Sequence, residues 1–192
     1  MNPDKVFLAI DTTTERFTVA LGSGEKVYAL KVIEGRRHSE RLIPSIKEVF
    51  TKGNVDFDDI DAVGVCAGPG SFTGIRVGLS CAVTMGQVLE IPVYRISLLD
   101  IAGRSFSHPV IKAFGTKYYY CDYNSEGLRR GEIRIIDTPE KEKIKGKPVV
   151  PEGAELLKET DRFFNSKEEG KWSDIEPIYL METKYKTKNA KH

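Results

Sequence analysis

The sequence predicts an α/β fold, built on a mixed β-sheet with helices on both faces. Two observations support this. First, three apolar runs joined by short turns, residues 6–11, 17–21 and 27–33, are typical of an antiparallel three-strand meander. Second, helix-like and strand-like segments alternate over residues 39–104, and such helical crossovers favour parallel pairing. The predicted order in the N-terminal half is β-β-β-α-β-α-β-α.

Each later element of this half has its own signal. Apolar residues recur at helical spacing over 39–50, with Ser39 as a candidate N-cap and Gly53-Asn54 as a stop. Residues 62–67 are all apolar or small, as in a strand buried on both faces. A glycine-rich turn at 68–74 then opens a helix that runs to about residue 89. Residues 92–96 predict a strand, and Ser97 caps a short helix through residue 104.

The C-terminal half has weaker signals. Strands are predicted at 109–114, 118–123 and 132–136, with a hairpin turn at 124–127, a short helix at 152–160 and a terminal strand at 177–180. The charged stretch 138–147 is interpreted as a solvated loop. Residues 184–192 carry four lysines and predict a disordered basic tail. We therefore expect an N-terminal lobe over residues 1–104, a smaller second lobe over 105–183 and a tail over 184–192.

Charge and composition exclude several classes of protein. The 192 residues hold 29 Lys and Arg against 28 Asp and Glu, which argues against a stand-alone nucleic-acid binder held by bulk charge. A hydrophobic fraction of 40% and a mean hydropathy of -0.32 are those of an ordinary globule. The early apolar run 6–10 is too short for a signal peptide or membrane span. Three cysteines without metal-type spacing, Cys66, Cys81 and Cys121, fit reduced thiols, so we expect a cytoplasmic protein with no membrane association.

The predicted element order is shared by ribonuclease-H-like and actin-like ATPase domains, which makes the end of the first strand a candidate site. Asp11, followed by Thr12 and Thr13, matches either a metal-binding carboxylate or a weak, vestigial phosphate loop. The alternative is an Asp that closes a tight turn by bonding its own backbone. A two-metal nuclease would also need a carboxylate at the end of the fourth strand. That strand ends in Cys66, Ala67 and Gly68, so the nuclease hypothesis fails.

The histidines do not predict a metal site. His38, His108 and His192 are the three in the chain, and no pair has ligand spacing on one element. A His-x-x-x-His pair starting at His38 would need a second histidine where Leu42 stands. We interpret His38 as a helix-start or interface residue.

The Gly68–Gly74 turn precedes a helix and places backbone N–H groups where an anion could bind. It lacks the lysine of a phosphate loop and does not match the dinucleotide glycine spacing. The alternative is that Ser71 or Thr73 caps the helix.

Small residues recur at every fourth position of the helix that follows, at Gly74, Gly78, Ala82 and Gly86. They form one stripe along one helix face. Each glycine inside a helix costs about 1 kcal/mol relative to alanine, so the backbone must be approached closely there. Two interpretations remain open: tight packing on the sheet of the same chain, or a subunit contact in which this helix and the 39–50 helix meet a partner's pair.

Three motifs carry a family resemblance. They are Ile-Asp-Thr-Thr at 10–13, His-Ser-Glu-Arg-Leu-Ile-Pro at 38–44 and, above all, Gly-Pro-Gly-Ser-Phe-Thr-Gly-Ile-Arg-Val-Gly at 68–78. In these motifs the chain resembles the bacterial TsaB (YeaZ) family. The resemblance covers the first hundred residues well and continues thinly to Pro-Ile-Tyr-Leu at 177–180. A departure is Lys-Ala-Phe at 112–114, where related chains often read Asp-Ala-Arg before the Tyr-rich strand.

The resemblance implies two ribonuclease-H-like, actin-like (ASKHA) lobes with the second truncated. It also implies a non-catalytic relative of TsaD, the transferase that adds threonylcarbamoyl to N6 of adenosine 37 in tRNAs reading ANN codons. Proteins of this family form a heterodimer with TsaD, form a homodimer through the same surface when alone, and work with the ATPase TsaE. No cofactor is implied for this chain, whereas ATP and a metal are expected on the partner subunits.

The implied interface lies on the two helices of the N-terminal lobe. It comprises His38, Arg41, Leu42, Ser45, Ser71, Phe72, Thr73, Gly74, Arg76, Val77, Gly78, Cys81, Ala82 and Met85. The four tail lysines add a modest, salt-sensitive contact to tRNA in this interpretation. Two alternatives of another class stay open: a metallopeptidase, which needs metal ligands, and an independent nucleotide-binding switch that uses Asp11 and its threonines.

Overall fold

The computed structural model describes residues 5–35, 37–150, 152–166, 170 and 176–178. The strands of its first sheet are Phe7–Asp11 (β1), Arg16–Gly22 (β2), Val27–Glu34 (β3), Ala62–Cys66 (β4) and Val93–Ile96 (β5). They pair in the order β3-β2-β1-β4-β5. The first three form the antiparallel meander, and β4 and β5 join it in parallel. The predicted mixed sheet of the N-terminal lobe is confirmed.

Two long helices, His38–Gly53 (α1) and Phe72–Leu89 (α2), cover one face of this sheet. Strand β1 shows how the sheet serves both faces, because successive side chains of a strand point in opposite directions. Leu8 and Ile10 pack with the apolar sides of α1 and α2, whereas Phe7 and Ala9 belong to the core on the opposite face. All five residues of β4 are buried, as predicted from their apolar and small side chains. A short helix, Leu98–Gly103 (α3), follows β5.

A second sheet consists of Pro109–Lys112 (β6), Tyr118–Tyr123 (β7), Arg129–Ile136 (β8) and the edge strand Lys147–Pro148 (β9), in the order β8-β7-β6-β9. The predicted loop at 138–147 is wrong. Its first part is a helix, Thr138–Lys143 (α4), capped by the side chain of Asp137 with a proline in the first turn, and its last residue enters β9. A capping aspartate followed by Thr-Pro is a helix-start signal that the high charge of the stretch concealed.

The last described helix, Gly153–Asn165 (α5), returns to the first sheet. It covers the face opposite α1 and α2, where Leu156 and Leu157 pack with Phe7, Ala9 and Tyr94. Gly64 permits this approach, because a Cβ at Gly64 would lie 1.9 Å from the hydroxyl oxygen of Thr160. The helix predicted at 152–160 therefore exists, but it packs on the first sheet, although it lies within the 105–183 range expected for the second lobe. The tail at 184–192 and the last two residues of the predicted 177–180 strand lie outside the described residues.

By length and composition alone, α2 is apolar enough to cross a membrane, with a mean hydropathy of 1.2 over 18 residues. Part of that apolar surface is buried within the lobe. The side that carries Ile75, Leu79 and Ala82 is buried in the core on the first sheet. The apolar composition of α2 thus serves two surfaces, one against its own sheet and one on the outside of the lobe.

Candidate protein interface on the first lobe

An open groove of about 500 Å³ runs between α1 and α2 on the outside of the first lobe. It exists because the two helices lie side by side on the same sheet face and leave a furrow between their outer sides. Its lining is Ser39, Leu42 and Ile43 from α1 and Phe72, Thr73, Arg76, Val77, Ser80 and Cys81 from α2.

The groove exposes two large apolar side chains, Ile43, which is 50% exposed, and Phe72, which is 49% exposed. Outside the groove lining, Val88 near the end of α2 is 74% exposed. The guanidinium of Arg76 lies over the Phe72 ring at 5.3 Å from its centroid, which holds the cation at the edge of the apolar surface. Exposed apolar surface rimmed by polar groups marks sites of protein association.

The predicted interface residues divide into two groups. Eight are exposed or half-buried along the outer sides of α1, α2 and the turn before α2: Arg41, Ser71, Phe72, Thr73, Arg76, Val77, Cys81 and Met85. The other six are buried in the lobe: His38, Leu42, Ser45, Gly74, Gly78 and Ala82. Of the buried six, Leu42 still lines the floor of the groove. Sequence reasoning missed three residues of the groove lining, Ser39, Ile43 and Ser80. Ile43 was missed because an apolar residue in a helical pattern is assigned to the core.

The small-residue stripe faces the interior of this chain. A Cβ at Gly74 would lie 2.0 Å from the carbonyl oxygen of Thr12, and one at Gly78 would lie 2.3 Å from the Thr12 hydroxyl. Ala82 is fully buried, and Gly86 is buried too. The prediction that Gly74, Gly78 and Ala82 contact a partner is therefore corrected: they pack inside this chain. The stripe lets α2 sit tightly on the loop after β1 and on β4, and the opposite side of the helix is the one that lines the groove.

The Asp11 loop bonds to its own backbone and to α2. Asp11 Oδ1 accepts hydrogen bonds from the Thr13 backbone N–H at 2.8 Å and from the Thr13 hydroxyl at 2.6 Å. The Thr12 hydroxyl donates to the carbonyl oxygen of Gly74 at 2.7 Å. Burial raises the pKa of Asp11 above its ordinary value, although both Thr13 bonds act in the opposite direction. Asp11 therefore closes a tight turn by bonding its own backbone, as in the alternative to a phosphate loop or a metal-binding carboxylate.

The Gly68–Gly74 turn is packed against the same loop. The Ser71 N–H donates to the Thr13 carbonyl at 2.6 Å, and the Ser71 hydroxyl caps α2 by accepting from the Gly74 N–H at 3.3 Å. A Cβ at Gly70 would lie 2.3 Å from the Thr13 carbonyl oxygen. The N–H groups of Ser71 and Gly74 therefore have partners within the chain, as the capping alternative predicted for Ser71.

His38 is the first residue of α1 and is 8% exposed. Its ring meets the Phe17 ring edge-on with centroids 5.2 Å apart. Within the described part of the chain, its Nε2 has no hydrogen-bond partner, and no group of three or more His, Cys, Asp and Glu side chains is arranged to hold a metal. His38 thus acts as a packed helix-start residue, while its interface role remains a prediction.

A short C-terminal segment lies at the junction of the two lobes. The Ile178 N–H donates to the Ala67 carbonyl at 2.8 Å, directly after β4. The Ile178 side chain packs on the core of the first lobe and also on that of the second sheet. The chain itself therefore covers the carboxyl end of β4, next to the Gly68 turn.

Comparison with known proteins shows what the region of the groove is similar to. A family model described as TsaD, tRNA N6-adenosine threonylcarbamoyltransferase, matches residues 32–109, which span β3 through α3 and include both groove helices. The tRNA threonylcarbamoyladenosine biosynthesis protein TsaB of Escherichia coli K12 is 37% identical over 92 residues, covering 48% of this chain and 40% of that protein. The protein of the same name from Haemophilus influenzae is 39% identical over 93 residues, covering 48% and 39%. The matched region therefore spans about two fifths of the length of these relatives.

The structural likeness extends further than the sequence likeness. YeaZ from Pseudomonas aeruginosa superposes with a TM-score of 0.75 at 21% identity, covering 92% of this chain and all of that one. The predicted fold, two ribonuclease-H-like, actin-like lobes with mixed sheets and a smaller second lobe, is confirmed. Together, the TsaB relatives and the TsaD-type match show that the first hundred or so residues of the chain are similar to TsaB and TsaD proteins, and the YeaZ likeness shows that the chain shares the YeaZ fold.

Proposed function

We propose that this chain is an accessory subunit of tRNA threonylcarbamoyladenosine biosynthesis, which binds a TsaD-like transferase through the α1–α2 groove and activates it without chemistry of its own. The observation that carries the proposal is the groove. It combines exposed Ile43 and Phe72 with buried Leu42 at its floor, on two adjacent helices. The described part of the chain leaves this apolar surface open to solvent, and a partner's helix pair would bury it.

The partner is proposed from two features. The family model that matches the groove helices is the one described for TsaD, so a TsaD-like protein offers a related pair of helices. Pairing of two similar helix pairs gives a four-helix contact, in which side chains of one pair fill the furrow of the other. The same geometry allows a homodimer when the chain is alone, because a self-complementary groove can meet its own copy about a twofold axis.

The interior contacts suggest how such a subunit would act. The Asp11 loop, the Gly68 turn and the first turn of α2 are joined by hydrogen bonds, and Ile178 connects this region to the second sheet. A rigid α1–α2 surface of this kind can hold the partner's lobes in one arrangement, which is the role we propose. A TsaE-like ATPase and tRNA would then bind the composite surface, with ATP and metal on the partner subunits and the complex in the cytoplasm.

The test is reconstitution of tRNA threonylcarbamoylation, with threonylcarbamoyl adenylate as the donor. The reaction is measured with the TsaD-like and TsaE-like partners, with and without this chain, and co-elution with the transferase is followed in the same samples. We expect modification only when this chain and the transferase are both present, and co-elution of the two. Turnover by this chain alone, or a transferase that is indifferent to it, would contradict the proposal.

A further inference from the structure

We propose that the surface where Lys112 of β6 and Lys141 of α4 meet over the Tyr118 ring binds the phosphodiester backbone of RNA. This surface, here called the basic face, is separate from the α1–α2 groove. Five of the eight cation–π pairs in the described part of the chain lie in the second lobe, those of Lys112, Lys117, Arg134, Lys141 and Lys147. The identity of the RNA as tRNA rests on the proposed function, whereas the binding surface does not.

The sheet register places these groups together. Lys112 lies directly opposite Tyr118, and Tyr120 lies opposite Arg134 on the same face. Lys141 reaches over from α4, so the ammonium groups of Lys112 and Lys141 lie 4.6 and 4.9 Å from the centroid of one ring, that of Tyr118. Both cations therefore sit within about 10 Å of each other, roughly one Debye length at 0.1 M salt, and their fields add.

The charges on the basic face are available to a ligand. Within the described residues, Lys112, Lys141 and Lys147 have no carboxylate at ion-pair distance, whereas Arg134 is paired with Glu140 at 2.8 Å. Residues 105–150 hold nine Lys and Arg against six Asp and Glu, a net charge of +3, while the whole chain carries +1. The positive charge that the average composition conceals thus lies in residues 105–150 and in the four lysines of 184–192.

The pattern favours a polyanion over a protein partner. Lysines draw a phosphate backbone by charge, and this attraction requires no base contacts. The Tyr118 ring restrains both lysines, so less conformational entropy is lost when they contact phosphates. Tyr120, in contrast, is only 2% exposed and cannot stack on a base. We therefore infer backbone contacts without sequence readout, at a position distinct from the apolar groove.

The test is binding of a fluorescent tRNA transcript to the full chain, measured by anisotropy from 50 to 200 mM salt. The variant carries Lys112→Glu and Lys141→Glu. The matched control carries Lys26→Glu and Lys158→Glu, the same charge change on exposed lysines of the other lobe and of α5, with Lys26 over the Tyr28 ring. We expect the affinity of the variant for tRNA to fall about tenfold at 50 mM salt. The slope of log K against log salt should become less steep by about 2. Both the affinity and the slope of the control should stay close to those of the wild type.

Two outcomes would overturn the proposal: no saturable binding by the wild-type chain, or equal loss of affinity in the variant and the control. A Lys112→Gln and Lys141→Gln variant, checked by circular dichroism, replaces the glutamate variant if the latter does not fold. Association with the transferase is measured on the same samples. It should be unchanged, so that failure of the basic face and failure of the groove proposal are distinguished.

Discussion

Thr12 donates its hydroxyl hydrogen to the carbonyl oxygen of Gly74 over 2.7 Å, which joins the loop after β1 to the first turn of α2. Both groups are buried, and the hydroxyl also fills the space beside Gly78. An unpaired buried hydroxyl or carbonyl would cost about 1–3 kcal/mol, so this bond holds α2 at a fixed depth on the sheet. The outer side of α2, which carries half of the groove, is positioned by this inner contact.

Gly78→Leu is therefore expected to damage the fold itself. The new side chain would meet the Thr12 hydroxyl and Val65, and overpacking of this kind costs about 1–3 kcal/mol or more. Thermal unfolding measures the loss. Gln87→Leu, an exposed position on the same helix, is the control and should unfold near the wild-type temperature. If Gly78→Leu kept full stability and lost only partner association, the stripe would face outward and our placement of α2 would be wrong.

Asp11→Asn is expected to keep the turn, because an amide oxygen can accept both Thr13 hydrogen bonds. The pKa of Asp11 is raised by burial, so the folded state favours the neutral carboxyl. The stability that this shift contributes is fully present below the unfolded-state pKa of 3.8. It is lost as pH rises through the higher pKa of the folded state. Asparagine does not ionise, so its stability relative to aspartate should increase between about pH 4 and pH 8.

Denaturant unfolding of both proteins across that pH range gives the measurement. Asp11→Ala serves as the second variant, since it removes the acceptor and should cost about 1–3 kcal/mol at every pH. A constant difference between the asparagine and aspartate proteins across the range would mean that Asp11 stays charged, with its carboxylate held by a cation or by water.

Glu159→Ala is expected to loosen α5 from the short helix α3. Glu159 is 5% exposed and accepts from Arg104 Nη2 at 2.7 Å, while Arg104 itself is about one third exposed. Removal of the carboxylate leaves a half-buried guanidinium without its partner. The free energy of unfolding should therefore fall by about 1–3 kcal/mol, with allowance made for the exposed side of Arg104. Denaturant unfolding reports the loss. Glu48→Ala, which breaks surface pairs with Lys31 and Lys52, is the comparison and should lower the free energy of unfolding less. Equal destabilisation by the two substitutions would contradict the account.

The first lobe could be predicted from the sequence because its signals are local. Alternating and continuous apolar runs fix the strands, and the apolar spacing in 39–50 fixes α1. The predicted helix start is two residues too late, since Arg37 rather than Ser39 occupies the cap position, without a side-chain bond, and α1 begins at His38. Ser39, the predicted cap, lies within the helix and lines the groove instead.

The direction of the stripe could not be predicted from spacing. Glycines at every fourth position indicate that a backbone is approached closely, but Thr12, which makes the approach, is 62 residues from Gly74. The docking of α5 on the first sheet is a contact of the same long-range kind. At the candidate site, Phe72 and Arg76 could be assigned through the family resemblance, whereas Ile43 could not. Only the three-dimensional packing shows which apolar residues of a helix remain outside the core.

The most direct test of the central claim is the affinity of this chain for the TsaD-like transferase after Ile43→Arg. Ile43 is 50% exposed in the groove, so the substitution should leave the fold intact and weaken association by about 30-fold or more. Leu128→Arg, at a 54% exposed position in the second lobe, is the control and should bind like the wild type. Wild-type affinity of Ile43→Arg, or equal loss in both variants, would contradict the groove as the partner surface.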